Sequence, residues 1–305
     1  NVMGNLAENI VADNFLIHNL ENNFGDVYDL VLSPDGQTLA TVSYGNAIQL
    51  WNVSDGSLLR ILEGHTDAVL SMAFSADGQL FASTGRDKTI RVWRVSDGKQ
   101  VNILKKHSNK INALAFSPDS QILASADWNA AIYLWRLSDN SFIRTLKSDI
   151  RTICNLVFSP DGQTLVSAGY DKIIQVWNVA DGSRICTLED PQEYITSIVF
   201  SPDGKILASA CYGGTIRLWN TVDYSLIRVL DDGNDKVRGL VFSPDSKVLV
   251  NLSDDRLIRF WDVAAGSLIR VLKTNTHWIV AATFSPDGHT LATINLSAVV
   301  HIWKC

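Results

Sequence analysis

His65, Ser83 and Asp87 unite the three residue types of nucleophilic acyl transfer: a hydroxyl, an imidazole to take its proton, and a carboxylate to orient the ring. Taken alone, the set would make a hydrolase triad. The other places where chemistry could reside are poorer. His18, His277, His289 and His301 have no partners at ligand spacing. Cys154, Cys186, Cys211 and Cys305 form no CxxC pair and no metal-type spacing with histidine. No glycine-rich loop that could cradle a phosphate occurs. The expectation is therefore no cofactor and no metal, and the one candidate triad must be judged by the elements that carry it.

Those elements are repeated. Trp51, Trp93, Trp135, Trp177, Trp219, Trp261 and Trp303 stand 42 residues apart, and turns opening at Ser33, Ser75, Ser117, Ser159, Ser201, Ser243 and Ser285 keep the same step. A fixed period of this size means one supersecondary unit used repeatedly, with the units jointly making the core. Within residues 57–98 the pattern predicts four strands: Ser57–Leu62, Ala68–Phe74, Gln79–Ser83 and Lys88–Arg94. Between them lie the Ser75-Ala76-Asp77-Gly78 turn and, at the end, Ser96-Asp97-Gly98. Four short antiparallel strands cannot bury both faces alone, and radial stacking solves this. The repeats carry no insertion, so no long loop exists to serve as a catalytic lid.

Gly64-His65, Asp87 and Trp93 resemble the WD40 repeat, and all seven copies resemble that family over nearly the whole chain. The highly regular Ser-Pro-Asp-Gly turns look like those of bacterial WD40 domains. The resemblance implies an all-β, seven-bladed WD40-type β-propeller with four antiparallel strands per blade. It also implies closure of the ring by the N-terminal strand. Residues 14–20 are then expected beside residues 298–303, in one domain spanning 14–305, with 1–13 a linker remnant or N-terminal extension.

The same resemblance recasts the triad. In WD40 repeats these positions form a buried hydrogen-bond chain that ties a loop to the strands, so no catalytic residue and no enzyme are expected. His65, Ser83, Asp87 and Trp93 complete the chain in the second copy; His107, Ser125 and Trp135 repeat it in the third, with Asn129 in the aspartate place. The fourth copy puts Asp149 in the histidine place. The second and third blades are accordingly expected to be the most rigid.

Function should sit where the repeats differ. In WD40 rings the loop face carrying three positions per copy is the usual partner-binding surface. In the second copy these are Ala68, Leu70 and Arg86. Aromatic residues fill seven of the 21 such places, where the chain-wide 9% would put about two: Tyr28, Tyr44, Trp128, Tyr170, Tyr194, Tyr212 and Trp278. Arg86, Lys110, Lys236 and Arg238 add positive charge to a chain whose formal charge is −6. Tyr, Trp and Arg dominate binding hot spots because they bring rigid area with a polar handle. The expectation is a protein or peptide partner on this face, acidic or phosphorylated where the basic residues meet it.

The wider context is drawn with less detail. Net acidity disfavours nucleic acid, and no stretch approaches the ~20 apolar residues of a membrane helix. With no disulfide framework, a reducing cytoplasm is expected. The bacterial resemblance and the lack of an initiator methionine suggest the C-terminal sensor or scaffold part of a larger signalling protein, monomeric as an isolated domain. The alternative is a small-ligand binder or propeller enzyme acting at the central channel. The innermost strands, apolar with Ser, Thr and Asn, lack the convergent charge it needs.

Overall fold

The computed structural model describes residues 15–19, 27–43, 45–189, 194–231, 233, 236–274, 279–285, 287–295 and 299–304. Its regular elements are all β-strands, five or six residues each. In the second copy the strands run Leu58–Leu62, Val69–Phe74, Leu80–Gly85 and Thr89–Arg94, so the third reaches two residues further than its apolar pattern suggested. It can do so because Ser83 and Thr84 are buried with their hydroxyls satisfied internally.

Six blades are contiguous antiparallel meanders, spanning residues 27–62, 69–105, 111–147, 153–189, 195–231 and 237–273. Each pairs its strands in sequence order, and the first pair carries a register shift at its start. The expectation of a seven-bladed ring is corrected to six contiguous blades and one further sheet, which the N-terminal strand joins as expected. Six are alike; the remaining sheet is composite, joining Ile279–Phe284, Thr290–Asn295 and Val299–Lys304 to Phe15–Asn19 from the other end of the chain. The junction is also a poorer ladder. Phe15 faces Ile302, Leu16 faces His301 and Asn19 faces Val299, with a register break between Leu16 and Asn19. Phe15–Asn19 thereby covers the outer edge of Val299–Lys304, which would otherwise expose unpaired backbone groups.

The periodic tryptophans hold blade to blade. Trp93 packs with Ala40, Val42, Leu50 and Leu62 of the first blade, Trp177 with Ile132, Leu134 and Leu146 of the third, and Trp303 with Val250, Leu252 and Phe260 of the sixth. Each indole N–H is also satisfied one strand away. It donates to Thr41, Ser83, Ser125, Ser167, Ser209, Asn251 or Thr293 at 2.7–3.0 Å. Burying a large ring with its one donor paired is favourable where burying it unpaired is not. The core is therefore a ring of inter-blade seams around a channel lined by the innermost strands.

Candidate functional site

The candidate triad is a structural tie. His65 Nε2 lies 2.8 Å from Ser83 Oγ and Nδ1 lies 2.7 Å from Asp87 Oδ2, but Ser83 Oγ also accepts the Trp93 indole N–H at 2.9 Å. Ser83 is fully buried and His65 nearly so. A nucleophile needs room for a reacting carbonyl, and this hydroxyl has none. Burial pushes the Asp87 carboxyl up, yet His65 and the Thr89 amide and hydroxyl hold it well below its ordinary value. The loop is thereby fastened to two strands, Leu80–Gly85 and Thr89–Arg94, and to the turn between them.

The third blade completes the same tie by a different residue. His107 Nε2 is 2.7 Å from Ser125 Oγ, and its Nδ1 is 2.8 Å from Asp127 Oδ2. Asn129, placed by periodicity in the aspartate position, instead donates its amide N–H to Asp127 Oδ1 at 2.9 Å. The acid has moved two residues back along the chain, from the turn into the end of the strand. There it is fully buried and caps the turn as well. The fourth blade has no such tie: Asp149 pairs with Arg184 and accepts a hydrogen bond from Gln175. Among the described residues no group of three His, Cys, Asp or Glu side chains could hold a metal.

On the loop face the expected partner-binding residues divide into two clusters. Arg86, Lys110 and Trp128 belong to the second and third blades. Lys110 Nζ sits 3.0 Å above the centre of the exposed Trp128 ring, and burial followed by the charge of Arg86 lowers its pKa. Tyr170, Tyr194, Tyr212, Lys236 and Arg238 come from the fourth to sixth blades and converge on one cavity of about 930 Å³. Tyr170 and Tyr194 meet edge to face at 5.6 Å, and Lys236 Nζ lies 5.1 Å from the centre of the Tyr212 ring. Arg238 forms a two-pronged ion pair with Asp254, which fixes its guanidinium at the rim. Tyr44 and Trp278, and the side chain of Tyr28, lie outside the described residues.

The cavity also contains residues outside the expected partner-binding set: Asp29, Arg151, Asn155 and Asp171. Asp29 is the informative one. Among the described residues it is the first blade's single contribution to a cavity otherwise lined by the fourth to sixth blades, so the cavity reaches toward the innermost strands. Its column holds Ser71, Ala113, Asn155, Ser197, Gly239 and Ala281 in the other copies, and scanning that column for charge would have found it. The expectation of an innermost surface without charge is corrected here. The carboxylate accepts one hydrogen bond, from the Leu30 amide at 2.9 Å, and burial raises its pKa from 3.8 to about 7.

That buried acid has a consequence for stability. The unfolded chain releases the Asp29 proton near pH 4, whereas the folded chain keeps it to about pH 7. Between those values the folded state holds more protons, so stability is greatest at the acid end and falls as pH rises through the window. With water reaching the cavity, the expected fall is about 2 kcal/mol. Asp29→Asn should abolish this slope, making the variant the more stable protein at pH 8. Urea denaturation of both proteins at pH 5 and pH 8 checks it, and parallel pH profiles would refute it.

Cys154 lines the same cavity, but burial pushes its thiol up to about 11, against a smaller opposing hydrogen bond from Asn155. It is therefore protonated at neutral pH, and its sulfur acts as a half-buried filler between the blades.

Radially packed four-stranded sheets, buried polar ties and an aromatic loop face define a β-propeller of the kind that mediates protein interactions. Residues 26–304 match the family model of the IFT122 first β-propeller, and the chain belongs to that family. The WD40 resemblance agrees with this assignment. No curated protein matches the chain.

Proposed function

We propose that this domain is a non-catalytic interaction platform whose loop-face cavity receives a segment of a polypeptide partner. The observation that carries the reading is the convergence of Tyr170, Tyr194 and Tyr212 with Arg151, Lys236 and Arg238 on one cavity. Three rings from two neighbouring blades supply rigid apolar area, and three cationic side chains favour an acidic or phosphorylated residue beside it. Arg86, Lys110 and Trp128 extend the surface for a longer segment. Such a module fits the sensor or scaffold part of a larger cytoplasmic signalling protein, monomeric by itself and without affinity for membranes or nucleic acid.

The test uses an array of random peptides carrying a fixed phosphoserine, aspartate or lysine, probed with the intact chain. Retention of the phosphoserine and aspartate sets over the lysine set supports the reading. Arg151→Ala is expected to weaken retention about threefold to tenfold, as loss of a partly exposed charge does. Equal retention of all three sets would sink the electrostatic part of the proposal.

A second reading, a small ligand held at the channel mouth, is favoured by Asp29. A carboxylate with one hydrogen bond among the described residues, facing a polar cavity, suits a ligand that donates hydrogen bonds or carries positive charge. Saturation by free amines or sugars that is lost in Asp29→Asn, with no peptide retention, would place this reading first.

A further inference from the structure

Across the seams of the loop face, neighbouring blades meet at two fixed places. Between the fourth and fifth blades Tyr170 meets Tyr194 edge to face at 5.6 Å. Between the fifth and sixth, Lys236 Nζ lies 5.1 Å from the centre of the Tyr212 ring. Arg86 and Lys110 hold these same two places between the second and third blades. There the meeting is between two cations. Burial, and after it the charge of Arg86, lowers the Lys110 pKa, so the two side chains feel each other.

Like charges brought together raise the free energy of the folded chain unless a counter-charge is supplied. Among the described residues neither Arg86 nor Lys110 forms an ion pair. The acids closest to Arg86 along the loops are engaged elsewhere. Asp87 accepts from the His65 ring and the Thr66 amide, and Asp67 accepts from the Ala68 amide at 2.7 Å. Other cations of the loop face have acids beside them: Arg238 is held by Asp254, and Arg151 shares its cavity with Asp171.

Lys110 is also held in place. Its Nζ sits 3.0 Å above the centre of the Trp128 ring, which is exposed. A cation resting on an aromatic face keeps its charge while its side chain is ordered, so an anion that binds it has less freedom to remove. Arg86 is exposed and offers the planar fork that takes two oxygens of one anion.

We propose that the seam of Arg86 and Lys110, walled by Trp128, binds the phosphoryl group of a phosphorylated side chain on the polypeptide partner. The inference rests on the loop face being a partner-binding surface and assigns its doubly charged anchor. A carboxylate brings one charge to the two cations, whereas a phosphoryl group brings about two at neutral pH, with three acceptor oxygens. The tyrosine cavity, where acids accompany the cations, takes singly charged or apolar residues of the same segment. Trp128 and Thr152 hold the corresponding places at the next seam, and Thr152 lines that cavity, so the cavity begins one seam away.

The test follows the tryptophan indole N–H signals of the isotope-labelled full chain by NMR, the Trp128 signal being the one lost in Trp128→Phe. The probes are glycine peptides carrying one phosphoserine or one aspartate, and inorganic phosphate. The phosphoserine peptide is expected to move the Trp128 signal saturably, binding about tenfold more tightly than the aspartate peptide. Its affinity should rise about fivefold from pH 5 to pH 7.5, as the second phosphate ionisation near pH 6 completes. Arg86→Gln and Lys110→Gln should each weaken binding about tenfold. Neither should lower the urea midpoint, since removing one cation relieves repulsion. Tyr170→Ala combined with Tyr194→Ala should leave this signal's response unchanged, so the seam and the tyrosine cavity fail separately. An unmoved Trp128 signal, equal binding of the aspartate peptide, or undiminished binding by both charge variants overturns the proposal. Inorganic phosphate bound as tightly as the peptide overturns the polypeptide source and makes the seam a site for free phosphate.

Discussion

Asp127→Ala is expected to destabilise the chain by about 2–4 kcal/mol, because a buried donor left without its acceptor costs about 1–3 kcal/mol and two further amides lose theirs. Three groups lose their acceptor at once: the His107 ring N–H, and the amide N–H groups of Asn129 and Ala131. The His107 ring N–H cannot turn to water, because His107 and Asp127 are both buried. Asn129→Ala makes the control, since its side chain is exposed and accepts only from Asn109; it should cost under about 1 kcal/mol. Urea unfolding of the two variants, with amide exchange across residues 111–147, reads the difference. If Asn129→Ala were as damaging as Asp127→Ala, the aspartate would not be the anchor of this blade.

The second large effect concerns binding. Tyr170→Ala combined with Tyr194→Ala is expected to weaken retention of an acidic peptide from the array more than about a hundredfold, the sum of two hot-spot residues at about 2 kcal/mol each. Both rings are about half exposed, at 51% and 48%, so their removal opens no core cavity. The fold should therefore survive, and an unchanged urea midpoint confirms that binding alone was lost. The two rings touch edge to face at 5.6 Å, so each single variant should lose part of the other's contribution. Undiminished retention by the double variant would mean that the rings merely seal the top of the ring of blades.

Much of this was legible in the sequence, and the reason is that repetition is a one-dimensional signal. The spacing of Trp51 to Trp303 marked the strands, and it marked the hydroxyl or amide that each indole would meet one strand away. Tyr170, Tyr194, Tyr212, Lys236 and Arg238 could be picked as one group because equivalent places in successive copies must lie on one face. Periodicity misled where one copy solved a shared problem differently. Asp127 does in the third blade what Asp87 does in the second, from two residues earlier, and a fixed step of 42 looks past it to Asn129. The count of seven blades was corrected for a related reason, since strand spacing cannot show that the last sheet is joined to Phe15–Asn19 by only three paired residues.

The sequence by itself determined that identical units stack, which residues glue them, and which side chains share the loop face, because those properties depend on neighbours one repeat away. Only the tertiary structure decided that Asp29 lies in one cavity with Asn155, Tyr194 and Arg238. Closing the ring brings the first blade to a cavity shared with the fourth to sixth, and there a carboxylate that looks ordinary in its own strand loses part of its hydration. Its chemistry is set by residues far away along the chain, and no spacing within a repeat encodes them.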